Sequence, residues 1–183
     1  MGTITVWTRQ HENILQTLEQ HGRHTAKREY VLGNEDARLM LFCYDWLVQH
    51  HPCPHLRPAD GDYPVWLSLQ RDAAMLPSPG SVILELEVDE ELVTYINIAK
   101  WGAINNFSYI PSDEADARRH RKLLADYGTG DAKACMTQFY PELKREIIAS
   151  WDRLWDESIR LGNDFAYGLI WEVRKEWIRN IIQ

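Results

Sequence analysis

The sequence predicts an α+β fold: a small mixed or antiparallel sheet with flanking helices and a C-terminal helical pair. Three observations predict it. Val82, Leu84, Leu86 and Val88 point one way and Ile83, Glu85 and Glu87 the other, which is the period of a half-buried strand. Residues 35–50 and 141–160 space their apolar side chains three and four apart, the period of a helix that buries one face. Strand and helix patterns do not alternate regularly, which argues against a βαβ series. Residues 1–183 are expected to form one domain, with 1–110 as the α+β core and 111–183 as a mainly helical extension packed on it.

The elements follow in order. Residues 3–8 (TITVWT) are β-branched and aromatic and read as a first strand, ending in the polar cluster Thr8, Arg9 and Gln10. Residues 11–21 read as a short helix with Ile14, Leu15 and Leu18 on one face and Gly22 just past its end. A basic connector, 23–33, has room for a short strand around Tyr30. Asn34 is a candidate N-cap for helix 35–50, whose stripe is Leu39, Phe42, Cys43, Trp46 and Leu47. Pro52 and Pro54 stop that helix and open a proline-rich loop, 51–62.

Tyr63 to Leu69 and Val82 to Val88 are the central strands, separated by Pro77, Pro79 and Gly80. Asp89 to Leu92 is a turn, and Val93 to Ile98 a third strand or its edge. Trp101 to Ile110 fits neither period. The charged run after Pro111 reads as a solvated helix, and Gly128 to Gly130 as a loop. Pro141 suits the first position of helix 141–160, with Leu143, Ile147, Trp151, Leu154 and Trp155 on one face. Gly162 breaks it. Asn163 or Asp164 then caps a last helix, 165–181, with Leu169, Val173, Trp177 and Ile181 at helical spacing.

Composition narrows the function classes. Apolar residues are 45% of the 183, and eight Trp and eight Tyr supply core volume. The formal net charge of −7, from 27 acidic and 20 basic residues, disfavours non-specific nucleic-acid binding. Cys43, Cys53 and Cys135 are odd in number and scattered, so they make no disulfide framework and point to a reducing compartment. No basic region followed by an apolar run opens the chain, and no stretch approaches the roughly 20 apolar residues that span a bilayer. A soluble cytoplasmic protein with no membrane partner is expected.

Several residue groups could carry chemistry. HHPCPH (50–55) holds zinc-type ligands in His50, His51, Cys53 and His55, but too closely spaced for the usual structural layouts and without a second pair downstream. No metal is expected in the favoured reading. Glu85 and Glu87 share a strand face, as acid–base carboxylates or as the wet side of a sheet. Thr8, Arg9 and Gln10 close a strand where the chain turns, either as side chains placed to reach a ligand or as a turn that satisfies its own backbone. Asn105 and Asn106 read as a turn or as amide contacts. Trp151, Trp155, Trp171 and Trp177 read as core, and Arg118, Arg119, Arg121 and Lys122 as a solvated face able to meet an anion. YGTGDAKAC lacks the spacing of a phosphate-binding loop.

The ordered segments VWTRQ (6–10), YDWL (44–47), YPVWL (63–67), LELEV (84–88), WDRLWD (151–156) and IWEVRKEWI (170–178) resemble a bacterial and phage family known only as a domain of unknown function, over nearly the whole chain. The order VWTRQ, then YPVWLSLQRDAA, then VILELEVDEELV is also similar to compact ADP-ribosyltransferase folds, which implies a sheet core of that type and NAD as substrate. The chain departs from that pattern in having Thr8, with Arg9 beside it, where a histidine or arginine is usual on the first strand. It also has no clear late glutamate, since Glu85 and Glu87 fall one strand early and Glu114 lies in a charged run.

On that resemblance Arg9, Asn106 and Glu87 are the candidate catalytic residues. Thr8, Gln10, Tyr44, Trp66, Ser68 and Arg71 are the candidate NAD contacts, with Trp66 and Tyr44 as an aromatic wall. The expected activity is NAD-dependent ADP-ribosyl transfer to a nucleic acid or protein by a toxin or phage-defence effector, with an antitoxin as a further partner. The rivals are a non-catalytic protein-interaction module and a metal-dependent hydrolase or nuclease built on His50, His51 and His55.

Overall fold

A computed structural model describes residues 2–30, 37–74, 76 and 78–183. The fold is mixed α+β, with small antiparallel sheets and six α-helices among the described residues. The chain divides into two compact units, Met1–Tyr95 with Tyr167–Gln183, and Ile96–Ala166. None of the described helices is long and apolar enough to cross a membrane.

The first unit is built on β1 (Thr3–His11) and β4 (Ser81–Asp89), antiparallel from Thr3 opposite Asp89 to His11 opposite Ser81. Val6, Val82, Leu84, Leu86 and Val88 form one core with Ile14 and Leu18 of α1 (Asn13–His21). The alternation read from LELEV holds for Glu85 and Glu87, which stay half-buried, whereas Ile83 is fully buried. Gly22 ends α1 in the left-handed region, φ 72°, and its N–H donates to the Leu18 carbonyl. Tyr30 lies in the 3-10 turn Arg28–Tyr30 rather than in a strand.

Helix α2 (Ala37–Gln49) buries Leu41, Cys43, Trp46 and Leu47, while Leu39 and Phe42, expected in its stripe, are exposed. The proposed N-cap Asn34 and the separator Pro77 lie outside the described residues. A short β2 (Arg23–His24) pairs with β7 (Val173–Arg174). β3 (Val65–Leu67) touches β1 through the bridge Trp7–Ser68, where each backbone N–H donates to the other's carbonyl at 3.0 and 2.7 Å.

The expected C-terminal helical pair requires a correction. Residues 165–181 form β6 (Ala166–Ile170), β7, a 3-10 turn at Lys175–Trp177 and β8 (Ile178–Ile182). Leu169, Val173, Trp177 and Ile181 are four apart, and residues four apart share a side of a strand as well as of a helix, so the stripe did not discriminate. Two edges in the first unit claim the segment. β6 pairs with β3, Val65 opposite Ile170 and Leu67 opposite Gly168, in a sheet of order β3-β6-β5, with β5 at Thr94–Asn97. β8 takes the free edge of β4, with a register shift at Glu85–Leu86 that leaves Arg179 as the extra residue of a bulge. Gly168 is required where it stands: a Cβ there would meet Val93 Cγ1 at 2.9 Å and Leu67 Cβ at 3.2 Å.

The second unit is helical. The 101–110 region resolves into α3 (Ile98–Asn105), capped by the Asn97 side chain, which accepts from the Lys100 N–H at 2.9 Å. α4 (Glu114–Tyr127) begins at Asp113, whose carboxylate accepts from the Asp116 N–H. α5 (Asp131–Met136) and α6 (Pro141–Ser150) follow, and the expected helix to 160 instead tightens into a 3-10 turn at Trp151–Trp155. Trp151 is fully buried and its indole N–H donates to the Ser108 carbonyl at 2.9 Å.

Candidate functional site

The polar end of β1 opens on a cleft of about 1000 Å³ in the first unit. β1 contributes Arg9, Gln10 and His11, and the first turns of α1 contribute Asn13, Ile14 and Thr17. His24 and Tyr30 come from the connector, and Ser78 to Ser81 from the turn into β4. That turn is self-supporting. The Ser81 hydroxyl accepts from the Ser78 N–H at 3.0 Å and donates to the Ser78 carbonyl at 2.9 Å, and Gly80 adopts φ 78°. The Arg9 guanidinium donates to the hydroxyls of Ser78 and, at 3.2 Å, Ser81. The Glu12 N–H donates to the Gly80 carbonyl at 3.0 Å, so the entry to α1 and the entry to β4 are tied together.

The described lining includes a guanidinium and two imidazoles and no carboxylate, in a chain whose net charge is −7. Such a lining favours an anionic ligand. Burial, and then the nearby Lys27 ammonium, lower the His24 pKa, so its imidazole is neutral at pH 7. The His24 and Tyr30 rings lie parallel, 9° between planes and 6.1 Å between centroids.

Of the residues expected to act, Arg9 and Gln10 line this cleft. Thr8 lies behind them, 2% exposed, its hydroxyl accepting from the Gln10 amide at 2.8 Å. Trp66 and Tyr44 meet edge to face at 6.5 Å, with Tyr167 and Tyr63 beside them, in a separate aromatic cluster of the same unit that does not line the cleft. Ser68 bridges β1 through its backbone, and Arg71 is half-buried in the 3-10 turn Arg71–Ala73. Neither lines the cleft. Glu87 sits on the sheet's outer face and accepts from Arg179 of β8 at 3.0 Å. Asn106 belongs to the second unit, where its amide donates to the Gly102 carbonyl at 2.7 Å and closes α3.

The histidine-rich loop has structural duties. His51 is buried, its ring edge against Trp171 at 5.0 Å, and its Nδ1 accepts from the Cys53 N–H at 3.1 Å. Burial pushes its pKa down to about 4. His50 stacks on Trp46 at 4.5 Å. Among the described residues no group of three His, Cys, Asp or Glu side chains could hold a metal ion.

The second unit holds a polar network that no motif in the sequence marks. His120 of α4 is 3% exposed, with Nε2 2.7 Å from Asp131 Oδ1 and Nδ1 3.2 Å from Glu146 Oε1, and the Tyr109 ring lies flat on it at 3.9 Å. The Tyr109 hydroxyl donates to Asp116 at 2.8 Å, and Arg119 and Arg153 donate to the same carboxylate. Burial opposes ionisation of Asp116. The Ser112 N–H, Arg119, Tyr109 and Arg153 outweigh it and hold that carboxyl well below the usual range. Arg119, read as part of a solvated face, therefore ties α4 to Glu146 of α6 at 2.7 Å. The available signal was the spacing of Asp116 and His120, four apart on the inward side of α4.

The sequence model of a family described as a domain of unknown function (DUF3841) matches residues 5–179. Neither a curated protein nor a solved structure matches the chain.

Proposed function

The chain belongs to that family, whose description assigns no activity, and we propose from the cleft at the end of β1 that it is an NAD-dependent ADP-ribosyltransferase. The observation that carries the reading is the meeting of Arg9 and Gln10 with His24, Tyr30 and the serine turn around a space large enough for a dinucleotide. Arg9, whose guanidinium donates to the Ser78 and Ser81 hydroxyls on the cleft wall, is a group suited to a phosphate. Gln10, anchored on buried Thr8, suits a ribose hydroxyl or an amide.

In the reaction the bond between the nicotinamide nitrogen and the ribose anomeric carbon breaks, and nicotinamide leaves with the electron pair as a neutral molecule. An acceptor nucleophile bonds to the anomeric carbon through an oxocarbenium-like state and gives up a proton. That proton passes to solvent. The acceptor is a macromolecule, nucleic acid or protein, and the biological role is that of a toxin or phage-defence effector held in check by an antitoxin.

The test is incubation of the pure protein with labelled NAD and a cell extract. Transferred label and released nicotinamide are expected, and both are lost in Arg9→Ala while the circular dichroism spectrum is kept. A folded wild-type protein that releases no nicotinamide and transfers no label overturns the reading.

A second reading, a non-catalytic interaction module, is supported by a groove of about 600 Å³ in the second unit. Met136, Phe139, Pro141 and Lys144 are among the residues that line it. Phe139 is 76% exposed. A harmless protein that co-purifies in fixed ratio with one partner, and loses it on Phe139→Ser but not on Arg9→Ala, would favour this reading.

A further inference from the structure

We infer that His24 and Tyr30 form a stacking subsite for the heterocycle of a phosphorylated nucleoside, with Arg9 and the Ser78–Ser81 turn taking its phosphate. The inference rests on the ligand class proposed above and assigns it to a part of the cleft that the sequence did not single out, since the expected aromatic wall was Trp66 and Tyr44.

The two rings are parallel within 9°, but their centroids are 6.1 Å apart, against 3.9 Å for the closed stack of Tyr109 on His120 in the second unit. A pair at that distance leaves ring surface uncovered. Tyr30 is 62% exposed, and both rings line the cleft that Arg9 lines. A planar heterocycle laid on that exposed ring gains face contact with it. Burial keeps the His24 ring neutral, so the platform carries no charge of its own, and the guanidinium on β1 supplies the attraction for phosphate. A flat aromatic surface and a guanidinium, lining one cleft, match the two ends of a mononucleotide. A sugar phosphate alone would use one of them.

The full chain is titrated with AMP, with nicotinamide mononucleotide and with ribose 5-phosphate. At least one of the two mononucleotides is expected to bind about tenfold more tightly than ribose 5-phosphate, the increment of a single ring stack. Tyr30→Ala should erase that difference and leave ribose 5-phosphate binding unchanged, while Tyr30→Phe keeps it. Whichever mononucleotide weakens on Tyr30→Ala identifies the ring, adenine or nicotinamide, that the platform takes. Equal affinity of all three ligands, no binding of any, or an unchanged preference in Tyr30→Ala overturns the inference. A ring-dependent preference without nicotinamide release from NAD upholds the stacking subsite and removes the transferase reading, so the two fail separately.

Discussion

Thr8 shows how a residue expected to touch a ligand can serve the site from behind it. It is 2% exposed on the core side of β1, and its hydroxyl accepts from the Gln10 amide at 2.8 Å. Thr8→Val keeps the shape and removes that acceptor. A stability loss of about 1 kcal/mol is expected, read from the urea midpoint, with weaker nucleotide binding because Gln10 is no longer held. An unchanged midpoint together with unchanged binding would show that the hydroxyl does neither. Arg9 and Gln10, which line the cleft, were legible in the sequence as candidates because polar side chains that close a β-branched strand stand where they reach either a ligand or the turn itself. His24 and Tyr30 were not, because nothing in RHTAKREY says that its ring side chains turn toward the end of β1.

At the scale of elements, β4 is the organising strand: β1 covers one edge along nine residues and β8 the other. The bulge at Arg179 and the Arg179–Glu87 pair guard the outer strand, devices that discourage edge-to-edge association. β6 shows how narrow the packing tolerance is. Gly168→Ala would drive a methyl group to 2.9 Å from Val93 and 3.2 Å from Leu67. A cost of about 1–3 kcal/mol is expected in urea unfolding. A variant as stable as the wild type would mean that β3 and β6 are not packed as closely as this. LELEV and the first helix with its glycine cap were plain from spacing alone, as was the pairing of proline with the start of α6. The final strands were not, because a four-residue stripe is common to both periods and the partner edges lie about a hundred residues away in sequence.

For the whole molecule, the two units should respond to acid in different windows. Buried His51 of the first unit is held neutral, with a pKa of about 4. The unfolded chain takes up this proton near pH 6.5, so stability present above that value is lost as pH falls from about 6.5 to about 4. In the second unit the Asp116 and Glu146 carboxyls lie below their ordinary values. Burial acts against this, but their hydrogen bonds and cation partners prevail. Their contribution is present above about pH 4 and is lost below it. Hydrogen exchange followed by unit from pH 7 to pH 3 should show 1–95 and 167–183 loosening first, and 96–166 only below about pH 4. Loosening in the reverse order would contradict these assignments.

The sequence by itself determined the α+β class, the strands of β1 and β4, the glycine end of α1, the proline start of α6, and the polar close of the first strand. These depend on local periodicity, capping and turn chemistry, which act within a few residues. Only the tertiary structure decided that 166–182 pairs as strands, that Tyr167–Gln183 joins Met1–Tyr95 in one compact unit, and that Arg9 shares a cleft with His24 and Tyr30 while Trp66 and Tyr44 pack elsewhere. Those outcomes depend on which distant edge offers hydrogen bonds and which side chains share a cavity, and no local pattern in the chain encodes that.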